Sequence, residues 1–147
     1  MAEKTEQGHI HFLLVEDDID HAELVKRAFE LNRISNKLTH VLDGELALKY
    51  LRNEPPFEDA DRPDLILLDL NLPKMSGHEV LEAIRSDDTF GNIPVVILST
   101  SNSDSDLARA YESHANSYVV KPLDFDQFRK MTKDLGCYWS IWNHPPN

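Results

Sequence analysis

A single cysteine, Cys137, stands among the 147 residues of the chain, so no disulfide can form within it. That fits a reducing compartment. Long apolar runs are missing too: none approaches the ~20 residues of a membrane span, and the opening "MAEKTEQGHIH" lacks the apolar core of a signal peptide. Basic side chains are scarce, with 15 Lys and Arg against 26 Asp and Glu, a net charge of −11. Such a balance argues against sequence-blind nucleic-acid binding, which needs clustered cations against phosphates, and against docking on an anionic membrane. A cytoplasmic protein with neither nucleic-acid nor membrane partners is expected. Internal linkers and low-complexity segments are also lacking, and the length suits one domain able to bury its own core.

What is present is an alternation of short apolar runs and amphipathic segments. Residues 1–9 are polar and expected to fray. "IHFLLV" (10–15) reads as a strand and is cut off by "EDDID". Ala22, Leu24, Val25, Ala28, Phe29 and Leu31 then fall at helical spacing over 20–31. "KLTHVL" (37–42) alternates as a strand near an edge would, Asp43-Gly44 is a turn, and "GELALKYLRN" (44–53) is a second helix. "NEPPFEDADRP" (53–63), with its prolines and acids, is the longest loop. Beyond it, "DLILLDL" is a strand and "HEVLEAIRS" a third helix, with Ser76 and Glu79 at capping-box spacing. "IPVVILS" (93–99) is the fourth strand, followed by a helix over about 104–114. "SYVV" (117–120) and a last helix from about Asp124 to Trp139 complete five βα repeats. Strands apolar on both faces point to a parallel sheet with helices on both sides, joined by right-handed crossovers. The expected fold class is α/β: a doubly wound, five-stranded parallel sheet in the order 2-1-3-4-5.

In open sheets of this kind, ligands bind beyond the carboxyl ends of the strands, where the strand order reverses. The first strand ends in Glu16-Asp17-Asp18, the third in Asp69, the fourth in Ser99-Thr100 and the fifth in Lys121. Carboxylates about 4 Å apart repel by roughly 4 kcal/mol at an effective dielectric of about 20. A hard divalent cation, Mg²⁺ or Mn²⁺, removes that penalty, taking one or two carboxylates and filling its shell with water and phosphate oxygens. Asp17 and Asp69 are the expected direct ligands, the Asn71 backbone carbonyl a third, and Glu16 a ligand through water. Asp69 can then attack phosphorus to form an aspartyl phosphate. Lys121 is placed to pair with the phosphoryl oxygens, and the Ser99 hydroxyl to hydrogen-bond one of them. Each residue taken alone has an ordinary explanation. A strand-end Asp commonly caps a turn, acids before a helix favour its dipole, Lys before Pro is usually solvated, and a serine can simply end a strand. Their conjunction at the ends of one sheet is what carries the chemistry.

The motifs "LLVEDD", "PDLILLDLNLP", "PVVILSTS" and "SYVVKP" occur in that order over about residues 10–135. In these motifs and their spacing the chain resembles the receiver domain of two-component response regulators. The resemblance implies a flavodoxin-like (βα)5 fold, with Asp69 as phosphoacceptor and Glu16 and Asp17 as the acidic pair. Asp18 would lie outside that pair. Ser99 falls at the hydroxyl switch with Thr100 beside it, Lys121 is the paired lysine, and Tyr118 is the aromatic that turns inward when the hydroxyl is drawn to phosphate. A sensor histidine kinase is the implied partner. The chain would be a signalling domain rather than an enzyme, limited to self-phosphorylation from small donors and slow autodephosphorylation. One receiver is expected over 10–140, after a flexible 1–9 and before a 141–147 tail. With no helix-turn-helix or basic patch after the last helix, it reads as stand-alone.

"RPDLILLDLNLPKMSGHEVLEAI", "ANSYVVKP" and the aromatic "YWSIW" are similar to the small regulators paired with bacterial phytochrome histidine kinases. In that group the C-terminal end supports homodimers. Here Phe125, Phe128, Met131, Leu135, Tyr138, Trp139 and Trp142 form an apolar stripe, and its aromatic end exceeds what one core buries. Two rivals remain. A haloacid-dehalogenase-like Mg-dependent phosphohydrolase also uses a strand-end Asp, but it needs a second Asp two residues on as general acid. That position is Asn71. A flavodoxin-like FMN binder would cradle phosphate in a Ser/Thr/Gly-rich first loop, and the acids of "EDDID" would repel it.

Overall fold

The computed structural model describes residues 10–31, 36–70, 72–99, 109, 111–112, 114–115, 117–120, 130 and 133. Within them the chain runs β1 (Ile10–Val15), α1 (Ile19–Leu31), β2 (Asn36–Val41), α2 (Gly44–Leu51), β3 (Leu65–Asp69), α3 (Gly77–Arg85), β4 (Val95–Ser99) and β5 (Ser117–Val120). The first four strands lie in the order 2-1-3-4, every pair parallel. β5 runs parallel to β4, with Val96 opposite Ser117 and Ser99 opposite Val120.

Both faces of the central strands are buried, which is why they read as unbroken apolar runs. Alternate residues go to opposite layers. Phe12 and Leu14 of β1, Leu65 and Leu67 of β3, and Val96 and Leu98 of β4 pack against Ala22, Val25, Ala28 and Phe29 of α1. The Phe12 and Phe29 rings meet with centroids 4.8 Å apart. Leu13 and Val15, Ile66 and Leu68, and Val95 and Ile97 point the other way, onto Ala47 and Leu51 of α2 and Val80, Leu81 and Ile84 of α3.

Local chemistry sets the element ends. Asp43 accepts from the Leu46 amide at 2.8 Å and starts α2. Ser76 and Glu79 form the anticipated capping box of α3: Ser76 Oγ accepts from the Glu79 amide at 3.2 Å, and Glu79 Oε1 from the Ser76 amide at 2.9 Å. β2 takes the sheet edge, as its alternating pattern suggested. It ends at Val41 rather than Leu42, because Leu42 swings out into the turn and is exposed. β4 begins at Val95, since Pro94 has no amide to give the ladder, although its carbonyl still accepts from Ile66 at 2.9 Å. Arg109, Tyr111 and Glu112 are helical, as are Lys130 and Lys133. The rest of the expected fourth and last helices, and the aromatic stripe, lie outside the described residues.

Candidate metal centre

Because β1 and β3 are neighbours, their carboxyl ends open side by side. Val15 lies opposite Leu68, so Glu16 and Asp69 follow one step further along adjacent strands. Each of Glu16, Asp17 and Asp69 offers a carboxylate oxygen such that all three lie within 4.8 Å of one another. Glu16 and Asp69 are buried and Asp17 is exposed, which leaves one open side. Negative charges this close repel by roughly 3–4 kcal/mol per pair at an effective dielectric of about 20. The donor set is all carboxylate oxygen, with no sulfur or imidazole among the three. It therefore fits a hard divalent cation of the Mg²⁺ or Mn²⁺ kind.

Asp18, although adjacent in sequence, does something else. Its Oδ1 accepts from the amides of Asp20 at 2.9 Å and His21 at 3.3 Å, and its carbonyl from Ala22 at 3.0 Å, so it caps α1. Its own amide donates to Glu16 Oε2 at 3.2 Å and helps hold that carboxylate.

Ser99 closes β4, fully buried, one residue beyond Leu98, which lies opposite Asp69. Tyr118 sits in the β5 backbone opposite Ile97. Lys121 follows Val120, the partner of Ser99, but Lys121, Asn71 and Thr100 lie outside the described residues, as does the Tyr118 side chain. The described part of the site thus joins Glu16, Asp17 and Asp69 directly and sets Ser99 on the neighbouring strand.

Four supporting residues escaped the sequence reading. Gly77 opens α3 against the end of β3: its amide donates to the Leu70 carbonyl at 3.0 Å. A Cβ there would collide with the Asp69 carbonyl oxygen and the Leu70 Cα. The Ser-Gly pair after the Asp69 loop was the available signal. Lys74, in the same loop, has φ 66 and reaches Glu45 Oε1 at 3.3 Å and Asp43 Oδ2 at 3.6 Å. The hydrogen bond to Glu45, and then the charges of Asp43 and Glu45, raise its pKa above the ordinary lysine value. His21 Nδ1 lies 3.7 Å from Asp18 Oδ2 and 4.0 Å from Glu16 Oε1. The i,i+3 step from Asp18 could have flagged it. His40, on β2, donates from Nε2 to the Glu16 backbone carbonyl at 2.6 Å. Only the pairing of β1 with β2 could have revealed that contact.

Comparison with known proteins covers the segment that carries these residues. A family profile described as the response regulator receiver domain matches residues 12–133. FilR2 of Methanothrix harundinacea, described as a probable methanogenesis regulatory protein, is 46% identical over 136 residues, which cover 91% of this chain and 86% of FilR2. The response regulator Rcp1 of Synechocystis is 38% identical over 127 residues, 86% of each chain. A crystal structure of its Mn²⁺-bound form aligns with a TM-score of 0.81 at 36% identity over 94% of this chain and 97% of Rcp1. The phosphorylated cyanobacterial phytochrome response regulator RcpA aligns with a TM-score of 0.84 at 39% identity, covering 95% of this chain and 97% of its own.

Proposed function

The chain belongs to the response regulator receiver domain family, and from that premise we propose that Asp69 accepts a phosphoryl group from the phosphohistidine of a sensor histidine kinase. The observation that carries the reading is the convergence of the Glu16, Asp17 and Asp69 carboxylates at the ends of adjacent strands, with Asp69 itself buried. In the transfer, an Asp69 carboxylate oxygen forms a bond to phosphorus as the P–N bond to the donor histidine breaks, its electron pair leaving on the imidazole. Asp17, Asp69 and the Asn71 carbonyl would hold Mg²⁺ or Mn²⁺, with Glu16 acting through water. That cation, when bound, neutralises the charge gathering on the phosphoryl oxygens. Lys121 pairs with one of those oxygens. Ser99, on the strand beside β3, is drawn toward another, and Tyr118 turns inward behind it.

The full unit is a single (βα)5 receiver over 10–140 in the strand order 2-1-3-4-5, a reading supported by the β4–β5 pairing. Similarity to RcpA, a phytochrome response regulator, favours a bacteriophytochrome as the kinase. The reducing cytoplasm is the compartment for such a pair, and the C-terminal aromatics form the homodimer face. The phosphohydrolase reading is not supported. Asn71 stands where that chemistry needs an acid, and the relatives described above are regulators. Only self-phosphorylation from small donors and slow autodephosphorylation are assigned to this chain.

Incubation with acetyl phosphate and Mg²⁺, followed by intact-mass measurement, should add one phosphoryl group to the wild type and none to Asp69→Asn. An adduct that persists in Asp69→Asn would falsify the assignment.

A further inference from the structure

We propose that His40 is a positioning residue for the acidic pair, gripping from the sheet edge the peptide that joins Glu16 to Asp17. The inference rests on the metal reading above and extends it to a side chain two strands away from Asp69.

The β1–β2 ladder pairs residues as far as Val15 and Val41. One further bond, from the Glu16 amide to the Val41 carbonyl at 3.1 Å, carries the pairing past the end of β1. There β2 turns away through Leu42 and Asp43 into α2. His40 lies opposite Leu14, whose side chain faces α1, so its imidazole lies on that same side of the sheet. It reaches forward from there to the Glu16 carbonyl oxygen. At 2.6 Å this bond is at the short end of N–H···O distances. The imidazole is half-buried, which limits competition from water.

That carbonyl belongs to the planar peptide whose nitrogen is that of Asp17. Fixing the oxygen therefore fixes the plane from which Asp17 continues, and with it the starting direction of the Asp17 side chain. Glu16 is then held at its amide by Val41, at its carbonyl by His40 and at its carboxylate by the Asp18 amide. The holds on its amide and its carbonyl both come from the edge strand. The neutral imidazole with its proton on Nε2 is sufficient for the bond, so this role needs no change of charge.

A bond this far from the cation acts on affinity by orienting the ligands. Losing such an outer contact weakens a metal site by roughly 10–100-fold. The test is Mn²⁺ titration followed by the EPR signal of the free ion, with urea unfolding run on each variant. His40→Phe, which keeps ring bulk without a donor, should raise the Mn²⁺ Kd by about tenfold, the low end of that range. His40→Ala serves in its place if the phenyl ring is not accommodated. His40→Gln, whose amide can donate to the same oxygen, should recover most of the affinity. Leu38→Ala, on the same strand without a contact to Glu16, should lower stability and leave the Kd unchanged. Wild-type binding with no loss in His40→Phe or His40→Ala overturns the inference and leaves the metal reading standing. So does equal loss in His40→Gln, or equal loss in Leu38→Ala. A wild type that binds no Mn²⁺ overturns the metal reading itself.

Discussion

Asp69 is held in place by its neighbours, and the least chemical of those neighbours makes the sharpest prediction. Gly77 lies against the Asp69 and Leu70 backbone with no room for a methyl group. Gly77→Ala must push α3 away from β3, an overpacking penalty of about 1–3 kcal/mol. Urea denaturation should register that loss, and acetyl-phosphate labelling of Asp69 should slow with it. Lys74 is the contrasting case, an exposed lysine whose ion pairs are screened by water. Lys74→Ala should leave the urea midpoint unmoved. Its raised pKa means the pairing is intact below the ordinary lysine value and is lost only as pH climbs through the raised one. The neutral range is therefore flat as far as Lys74 is concerned. For Ser99, the expected outcome is a split: Ser99→Ala still accepts the phosphoryl group but loses phosphorylation-dependent binding. Native gel shifts with and without acetyl phosphate would display it, and normal signalling by that variant would remove Ser99 from the switch. Asp69, Glu16, Asp17 and Ser99 could all be picked out in the sequence because polar groups at strand ends interrupt apolar runs. Gly77 and His40 could not, because a close approach and a cross-strand bond leave no periodic trace.

Among the elements, α3 is tied down at both ends. Its capping box holds the amino end, and Ser76→Ala should cost about 1 kcal/mol in chemical denaturation. At its other end Arg85 donates from Nη1 to the carbonyls of Gly91 at 2.9 Å and Ile93 at 2.7 Å, and from Nε to His114 at 2.9 Å. Burial lowers the pKa of this guanidinium from its ordinary value, yet arginine remains charged in proteins. Arg85→Met would keep the apolar stem and take the donor away from three carbonyls, a loss of about 1–3 kcal/mol. The amphipathic spacing of α1, the alternation in β2 and the capping box were all legible, since each is a local pattern. Arg85 was not, because its partners lie in two other segments. The element ends at Val41 and Val95 shifted by one or two residues because the turn releases Leu42 and Pro94 lacks an amide.

For the whole molecule, the acidic crevice is a standing electrostatic strain that a cation should relieve. Mg²⁺ at about a hundred times its Kd should add about 2.7 kcal/mol of stability. Thermal unfolding with Mg²⁺ and then with excess EDTA would measure the increment, which Asp17→Asn should largely abolish. Assembly is tested separately by sedimentation, where Trp142→Ala should shift the proposed homodimer toward monomer. An unchanged mass would sink the aromatic interface. By itself the sequence determined the alternation of strands and helices, the parallel character of the sheet and the placing of acids at the strand ends. Those follow from period, from burial on both faces, and from the free-energy cost of placing acids at the ends of apolar strands. Tertiary structure alone decided which amides of α1 the Asp18 side chain caps, that Gly77 must stay bare, and that an edge-strand histidine reaches the Glu16 carbonyl. The last two outcomes depend on distances between separate segments of the chain, which only the packed sheet and its helices set.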